Sequence, residues 1–251
     1  MTIRYADRFQ EPDAVADYEA NEYGRESYAT AIWQMQRPVL TQILKDFRRE
    51  RSGPIRLLDF ACGTGRVLAS LEPLVDSAEG IDISENMVAA ARRKGVQARL
   101  QVGDILANPE LLGQDYDLIS CFRFLLNVEP EIRLRILRRL RGVLRTPEGR
   151  LLINVHGNSQ SLRHPAILWR RRHERAEQAG TMLNEMSPGE TKKLLCESGF
   201  QVVRQFGFGI LPPTLYRTPL RKAALAVDCS LAGDHGWNDW SIDMLFVCRP
   251  C

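Results

Sequence analysis

Two aspartates of this chain stand where a carboxylate can bind a ligand, because each follows a short apolar segment. Asp59 precedes the glycine-rich turn 60–65, after which a helical pattern begins at Arg66. A carboxylate beside such a turn repels a pyrophosphate and attracts a ligand that carries an ammonium and a sulfonium group. Asp82 follows about 20 residues later, where an acidic residue can accept hydrogen bonds from both ribose hydroxyls of an adenosine.

The turn itself has the sequence of a strand that enters a helix through a tight bend. Gly63 and Gly65 can adopt positive φ angles, which lets a ligand lie against bare backbone. The N-terminus of the following helix adds unpaired N–H groups and a partial positive charge. A dinucleotide-binding fingerprint needs a small residue three positions after Gly65, but Leu68 stands there. A phosphate-binding P-loop needs Gly-Lys followed by Ser or Thr, and the chain has no such sequence.

The segment 57–66 and the aspartates that follow it resemble the glycine-rich first motif of class I S-adenosylmethionine methyltransferases and its partner motifs. The resemblance implies that S-adenosylmethionine is the cofactor and S-adenosylhomocysteine the product. It also implies that Met87 packs on the adenine and that Asp104 accepts a hydrogen bond from the adenine amino group. An ordinary tight turn is the alternative for the glycine-rich segment alone. The implied cofactor-binding residues are Asp59, Ala61, Gly63, Gly65, Asp82, Ile83, Met87, Asp104, Ile105, Cys121 and Phe122.

Three residues at the ends of predicted strands are candidates for contact with the methyl acceptor. Arg123 and Asn127 follow the fourth strand, and His156 ends the fifth, where ligands of open α/β sheets bind. An imidazole with a pKa of about 6.5 can take a proton at neutral pH, so His156 is our candidate for the general base in oxygen methylation. A hydrogen bond without proton transfer is the equal alternative, with Arg123 and Asn127 orienting the acceptor.

Short apolar segments alternate with helical patterns along the chain, which predicts an α/β fold. The resemblance implies a Rossmann-like three-layer sandwich of about seven strands, mostly parallel with the last strand antiparallel, and helical cap additions. The predicted strands cover residues 57–60, 78–83, 98–102, 116–122, 150–156, 200–208 and 241–247.

The predicted organisation is a helical cover, residues 1–50, and a methyltransferase domain, residues 51–251. The domain carries an insert at 157–186, which is too long for a simple loop, and a C-terminal cap at 211–240. The insert contains the basic run 170–175. The resemblance implies that such inserts set acceptor specificity, and a solvated helix face is the equal alternative.

Aromatic residues of the cover recur at intervals of five and therefore do not form one stripe on a helix. They either pack on the main domain or belong to a flap that closes over the cofactor, and both interpretations stay open. A helix is predicted over residues 39–47, with Pro38 in its first turn. The aromatic residues are Tyr18, Tyr23, Tyr28 and Trp33.

The composition bounds the class of protein. Charged residues make up 26% and hydrophobic residues 44% of the 251 residues, as in a soluble globular protein. A formal net charge of +3 is too small to indicate nucleic-acid binding. No apolar run reaches the ~18 residues of a membrane span, and the first residues lack the pattern of a signal peptide. Six scattered cysteines indicate reduced thiols in a cytoplasm.

The function that the resemblance implies is methyl transfer from S-adenosylmethionine to a small-molecule acceptor. We expect a hydroxyl oxygen of a sugar or natural product to be methylated, and an amine or carboxyl group of a small metabolite is the alternative. An RNA methyltransferase, which needs a continuous basic stripe, and a non-catalytic cofactor-binding protein are two further classes. We expect no metal, no membrane and no nucleic acid as partners, and a homodimer stays open.

Overall fold

A computed structural model describes residue 15 and residues 18–20, 24, 27–145, 147–166, 168, 185–232 and 236–251. Tyr23 and the basic run 170–175 lie outside the described residues. The helices are α1 (Tyr28–Arg49), α2 (Arg66–Leu71), α3 (Glu85–Arg93), α4 (Pro130–Val143), α5 (Pro188–Glu197) and α6 (Arg221–Leu231). The strands are β1 (Arg56–Phe60), β2 (Ser77–Asp82), β3 (Arg99–Val102), β4 (Leu118–Cys121), β5 (Arg150–Val155), β6 (Phe200–Phe208) and β7 (Asp243–Pro250).

These seven strands form one sheet in the order β3-β2-β1-β4-β5-β7-β6. The neighbours from β3 to β5 are parallel, whereas β7 pairs antiparallel with both β5 and β6. The predicted fold is therefore confirmed, including the antiparallel last strand. From β1 the chain adds β2 and β3 on one side, and it then adds β4 on the other side of β1. Ligands of such sheets bind at the strand ends beside this switch point, between β1 and β4.

Helices cover both faces of the sheet, and the strands supply alternate side chains to each layer. On one face, Leu137 of α4 and Leu195 of α5 pack with Leu58 of β1. On the other face, Leu40 of α1 and Leu57 of β1 belong to a second buried cluster. Burying one such leucine contributes roughly 1.5–3 kcal/mol, so the two clusters fix the strand ends that carry the site. In the described part of the chain, no helix combines the length and apolar character that crossing a membrane requires.

Helix α1 is longer than the sequence predicted, and the predicted place of Pro38 was wrong. The helix begins after Ser27, whose hydroxyl accepts a hydrogen bond of 3.0 Å from the N–H of Thr30. Pro38 lies inside the helix, where it removes one backbone hydrogen bond. Burial of Met35 before the proline and of Leu40 after it holds both halves on the sheet and offsets this loss.

The two ends of the predicted insert 157–186 lie together. The N–H of Met186 donates to the carbonyl oxygen of Gly157 at 3.1 Å. The insert therefore leaves the methyltransferase domain and returns to it at one point. This geometry supports the interpretation of residues 157–186 as an insert in that domain. The predicted cap 211–240 contains α6, and the division of the chain into cover, domain and additions is our proposal.

Candidate functional site

The glycine-rich turn joins β1 to α2 and is held in place by Asp82 at the end of β2. The N–H of Gly63 donates to Asp82 Oδ2 at 2.8 Å, and the N–H of Ser84 donates to Oδ1 at 2.9 Å. Burial raises the pKa of Asp82, and the hydrogen bonds from the backbone oppose that rise. Asp82 thus fixes the turn and keeps lone pairs for a ligand, because each carboxylate oxygen can accept more than one bond.

The two glycines of the turn serve different purposes. Both have positive φ angles, 54° at Gly63 and 76° at Gly65. A Cβ at Gly63 would point into open space, so this glycine leaves the backbone accessible to a ligand. A Cβ at Gly65 would lie 2.7 Å from Val96 Cγ2 and 3.0 Å from Ala91 Cβ. Gly65 therefore allows the start of α2 to pack closely against α3.

Asp59, on β1, is almost completely buried, with 1% of its surface exposed. Its Oδ1 accepts a hydrogen bond of 2.6 Å from the hydroxyl of Ser120 on β4. Its Oδ2 is buried and has no hydrogen-bond partner in the described part of the chain. Burial raises the pKa of Asp59 to about 7. The Ser120 bond opposes the rise, the charge of Asp82 adds to it, and the backbone N–H of Leu68 and the charge of Arg66 oppose it further. A buried carboxylate is costly unless it is paired, and a cationic ligand would supply the missing partner.

A pocket of about 650 Å³, including its open mouth, lies over the turn. The predicted residues that line it are Asp59, Ala61, Gly63, Asp82, Met87, Phe122 and Arg123. The lining residues outside the predicted set are Tyr18, Cys62, Thr64, Arg66, Val67 and Phe124. All of these except Tyr18 and Val67 adjoin a predicted residue in the sequence, and that adjacency was the available signal.

Other predicted cofactor residues lie around the pocket rather than in its lining. Ile83 is 47% exposed at the end of β2, and Ile105 is buried. Asp104 follows β3 and accepts a hydrogen bond of 2.8 Å from the N–H of Leu106. Cys121 is buried in the core on the α4 face of the sheet. Contacts of these residues with a cofactor stay predictions.

The predicted acceptor residues come together at the ends of β4 and β5. Arg123 has a φ angle of 54°, which is uncommon for a residue with a side chain. The side-chain amide of Asn127 donates to the carbonyl oxygen of Arg123 and so supports this conformation. His156 Nδ1 is buried without a hydrogen-bond partner in the described residues. Burial and then the charge of Arg123 lower the pKa of His156 well below its ordinary value, so the imidazole is neutral at pH 7.

The sequence analysis missed Asp243, a carboxylate at this same edge. Asp243 begins β7 and is 5% exposed. It accepts hydrogen bonds from the side-chain amides of Gln36, at 2.7 Å, and Asn154, at 2.6 Å. Both donors are distant in sequence, so the only available signal was a carboxylate within the apolar run 241–247.

The N-terminal segment reaches the pocket. Tyr18 lines it and packs, together with Val15, against Met87 of α3. Lys94 forms an ion pair with Glu19 and also donates a hydrogen bond of 3.0 Å to the hydroxyl of Thr64 in the turn. These contacts connect the segment to the turn through one lysine. They agree with packing on the main domain and with a flap alike, and closure over the cofactor stays a prediction.

S-adenosylmethionine fits the residues of this site. The unpaired Oδ2 of Asp59 suits the ammonium of its methionine part, and Asp82 has lone pairs for ribose hydroxyls. The open space at Gly63 would admit the ligand against the backbone. Within the described residues, no group of three His, Cys, Asp or Glu could hold a metal ion.

Comparison with known proteins agrees with this fit. A family model described as a methyltransferase domain matches residues 32–205. The dTDP-3-amino-3,6-dideoxy-alpha-D-glucopyranose N,N-dimethyltransferase of Streptomyces fradiae is 36% identical over 74 residues, which are 30% of this chain and 28% of that protein. The malonyl-[acyl-carrier protein] O-methyltransferase of Bacillus cytotoxicus is 30% identical over 140 residues, 53% of this chain and 46% of that protein. The chain thus spans less than half the length of either curated relative.

A solved structure extends the similarity of the fold over nearly the whole chain. Magnesium protoporphyrin IX methyltransferase from Synechocystis, solved with bound S-adenosylhomocysteine, superposes with a TM-score of 0.62. The alignment covers 98% of this chain and 97% of that one at 15% sequence identity, so it shows the fold alone. The family model covers well over half of the chain. The chain therefore belongs to the methyltransferase-domain family, and the predicted membership of the class I S-adenosylmethionine methyltransferases is confirmed.

Proposed function

We propose that this protein transfers the methyl group of S-adenosylmethionine to a small polar acceptor. The observation that carries the proposal is the buried Oδ2 of Asp59, which has no partner in the described residues and belongs to a residue lining the pocket. A carboxylate in this state matches the ammonium of the methionine part, whereas a dinucleotide would bring its negatively charged pyrophosphate to the turn. Family membership supports the same cofactor.

The proposed roles of the cofactor-site residues follow from their positions. Asp59 pairs with the ammonium, Asp82 accepts from the ribose hydroxyls, and Gly63 lets the ligand approach the backbone. Ile83 and Asp104, at the ends of β2 and β3, are proposed to contact the adenine. When bound, the cofactor supplies a methyl group activated by a positively charged sulfur.

The methyl acceptor is proposed to bind at the ends of β4 and β5, on the other side of the turn. Arg123 lines the pocket there, and His156 lies within range of its charge. A neutral imidazole can hold a hydroxyl or amine through a hydrogen bond. It is a weak proton acceptor when its pKa is far below neutral pH, so His156 is better suited to positioning the acceptor than to deprotonating it.

A hydroxyl group of a sugar or natural product is the acceptor group that we propose first. An amine or a carboxyl group of a small metabolite is the second candidate. The buried carboxylate of Asp243, at the acceptor edge of the sheet, suits an amine because it can pair with a cation. The two curated relatives are named for methylation of an amino sugar at nitrogen and of a carrier-bound malonyl group at oxygen. They therefore support a small or carrier-bound acceptor, but they do not distinguish methylation at oxygen from methylation at nitrogen.

Two measurements test the proposed function. Calorimetry should detect binding of S-adenosylhomocysteine to the purified chain. S-adenosylmethionine with an isotopically labelled methyl group is then offered with dTDP-linked amino sugars, unmodified dTDP-sugars, malonyl-acyl-carrier protein and total RNA as separate probes. Label on a sugar hydroxyl supports our first acceptor class and label on an amine the second. Label on RNA alone, or failure to bind S-adenosylhomocysteine, contradicts the proposal.

A further inference from the structure

The carboxylate of Asp243 is buried at the edge of the sheet where β5 ends, and the cofactor roles proposed above do not include it. Both of its side-chain hydrogen bonds, from Gln36 and Asn154, fall on Oδ1. A carboxylate has lone pairs on both oxygens, so the group keeps capacity to accept a further proton besides these two bonds. Burial raises the pKa of Asp243 to about 7, and the charges of Arg123 and Arg66 oppose the rise.

The position of Asp243 in the sheet places it beside the acceptor end of the pocket. Because β7 runs antiparallel to β5, its first residue lies at the edge where the parallel strands end. Met244 pairs with Val155, so Asp243 lies at the level of His156. Arg66 and Arg123 line the pocket and both act on the charge of Asp243. Asp243 therefore lies on the β5 side of the pocket, opposite the Asp82 side.

Buried polar groups continue beyond Asp243 between α1 and α6. The hydroxyl of Tyr28 accepts a hydrogen bond from Arg163, whose guanidinium also lies 4.5 Å above the ring. Burial raises the pKa of Tyr28, Arg163 opposes the rise, and Asp243 and Asp228 add to it. The ring of Tyr216 lies 5.5 Å from that of Tyr28. Tyr28 therefore lies within electrostatic range of both Asp243 and Asp228.

Two atoms of this polar region have no partner. Tyr216 Oη and Asp228 Oδ2 are buried without a hydrogen bond within the described ranges, and each residue is only 1% exposed. Burying a polar atom without a partner is unfavourable, and a ligand with matching groups would remove that cost. Such a ligand carries several hydroxyl or amine groups, as a sugar does.

We infer that Asp243 is the proton acceptor for the nucleophile of the methyl acceptor, and that Tyr28, Asp228 and Tyr216 bind its other polar groups. The inference rests on the proposed methyl transfer. The O–H or N–H bond of the nucleophile breaks, and its proton passes to Asp243 Oδ2. The freed electron pair forms the bond to the methyl carbon, while the carbon–sulfur electrons remain on sulfur as the neutral thioether. The proton then leaves Asp243 to solvent.

Asp243 suits this role better than His156 does. A carboxylate that titrates near neutral pH is largely ionised at pH 7.5 and still holds a proton well, which is the condition for an effective base. The imidazole of His156 holds a proton poorly, because burial and Arg123 lower its pKa. The groups that face Asp243 are Arg66 from α2, Arg123 after β4, Tyr28 and Gln36 from α1, and Asn154 from β5.

The first test follows the carboxyl groups by NMR in protein labelled with ¹³C at the aspartate side chains. Asp243→Asn keeps one oxygen for both donors, so this variant is expected to fold. We expect the NMR signals of two carboxyl groups to titrate near pH 7. One of these signals should be missing in Asp243→Asn and the other in Asp59→Asn. S-adenosylhomocysteine should lower the pKa of Asp59 and leave that of Asp243 nearly unchanged, because only Asp59 meets the ligand's ammonium. If Asp243 titrates below pH 5, the inference is overturned.

The second test separates a base from a structural carboxylate. Asp115→Asn is the control, because Asp115 is exposed and its φ angle of 57° is tolerated by asparagine. The substrate for this assay is the methyl acceptor identified with the labelled methyl group. The kcat of Asp243→Asn should be lower than that of wild type by ~10²–10⁴-fold, and its affinity for S-adenosylhomocysteine should stay within twofold of wild type. Asp228→Asn should mainly raise KM. A rise in KM for Asp243→Asn with kcat retained would overturn the inference, whereas failure of every form to bind S-adenosylhomocysteine would instead overturn the proposed function.

Discussion

Asp82 Oδ2 and the N–H of Gly63 form a hydrogen bond of 2.8 Å that joins the end of β2 to the glycine-rich turn. One carboxylate thereby shapes the turn and stands beside the pocket that the turn lines. We therefore expect a ligand that pairs with Asp82 to act also on the conformation of the turn, because the same carboxylate holds Gly63.

The two glycines of the turn should respond differently to alanine. Gly63→Ala places a Cβ in open space, so we expect a stability cost of about 1–2 kcal/mol from the left-handed conformation and a clear loss of cofactor affinity. Gly65→Ala meets Val96 and Ala91, so we expect a larger loss of stability. Denaturant unfolding and calorimetry with S-adenosylhomocysteine measure the two effects. Equal loss of stability in both variants would contradict the division of roles.

Binding of S-adenosylhomocysteine should depend on pH through Asp59. Burial raises the pKa of its carboxyl to about 7, and the ligand ammonium needs the ionised form. Affinity should therefore rise from pH 6 to pH 8, by roughly tenfold per pH unit below the pKa, with release of a proton. Calorimetry in two buffers of different ionisation enthalpy counts that proton. Asp59→Asn keeps an oxygen for Ser120 and should remove the pH dependence.

The same carboxyl groups should make unfolding depend on pH. Asp59 and Asp243 both have pKa values raised to about 7 in the folded protein. Their contribution to stability is fully present below the pKa of an unfolded aspartate, and it is lost as pH rises through about 7. Asp59→Asn and Asp243→Asn should each flatten the fall in unfolding free energy between pH 5 and pH 8, as measured by urea titration. A slope unchanged from wild type in both would contradict the burial of these charges.

The contact of Lys94 with Glu19 and Thr64 should hold the N-terminal segment against the glycine-rich turn. S-adenosylhomocysteine should slow hydrogen exchange in residues 15–35 of the wild-type chain if the segment closes over the cofactor. Lys94→Met keeps the aliphatic part of the side chain but removes the ion pair, so it should reduce that protection. Lys193→Met, an exposed lysine of α5, is the control. If the ligand does not change hydrogen exchange in residues 15–35, the segment is structural packing and the flap interpretation is contradicted.

His156 should act by position rather than by proton transfer. His156→Gln can keep a hydrogen bond to the methyl acceptor, so we expect it to retain more than about a tenth of wild-type kcat, while His156→Ala loses more. S-adenosylhomocysteine affinity should stay near wild type in both. A loss of ~10²–10⁴-fold in both variants would instead assign the general base to His156.

The sequence located the glycine-rich turn and the strand ends around it because their determinants are local. The turn, Asp59 and Asp82 lie at strand ends that apolar runs and glycines mark directly. Asp243 was missed because its burial depends on Gln36 and Asn154, which are 207 and 89 residues away. The extent of α1 was missed because Pro38 is a helix breaker in isolation, and only burial against the sheet carries the helix through it.

Calorimetry of S-adenosylhomocysteine with wild type, Asp82→Ala and Asp82→Asn tests the central claim most directly. Loss of the bonds to the ribose should cost Asp82→Ala about 1.5–3 kcal/mol of binding free energy, and Asp82→Asn, which keeps one oxygen, should lose less. Asp115→Asn should bind as wild type does. Unchanged affinity in Asp82→Ala, or tighter binding of NAD than of S-adenosylhomocysteine to wild type, would contradict the account.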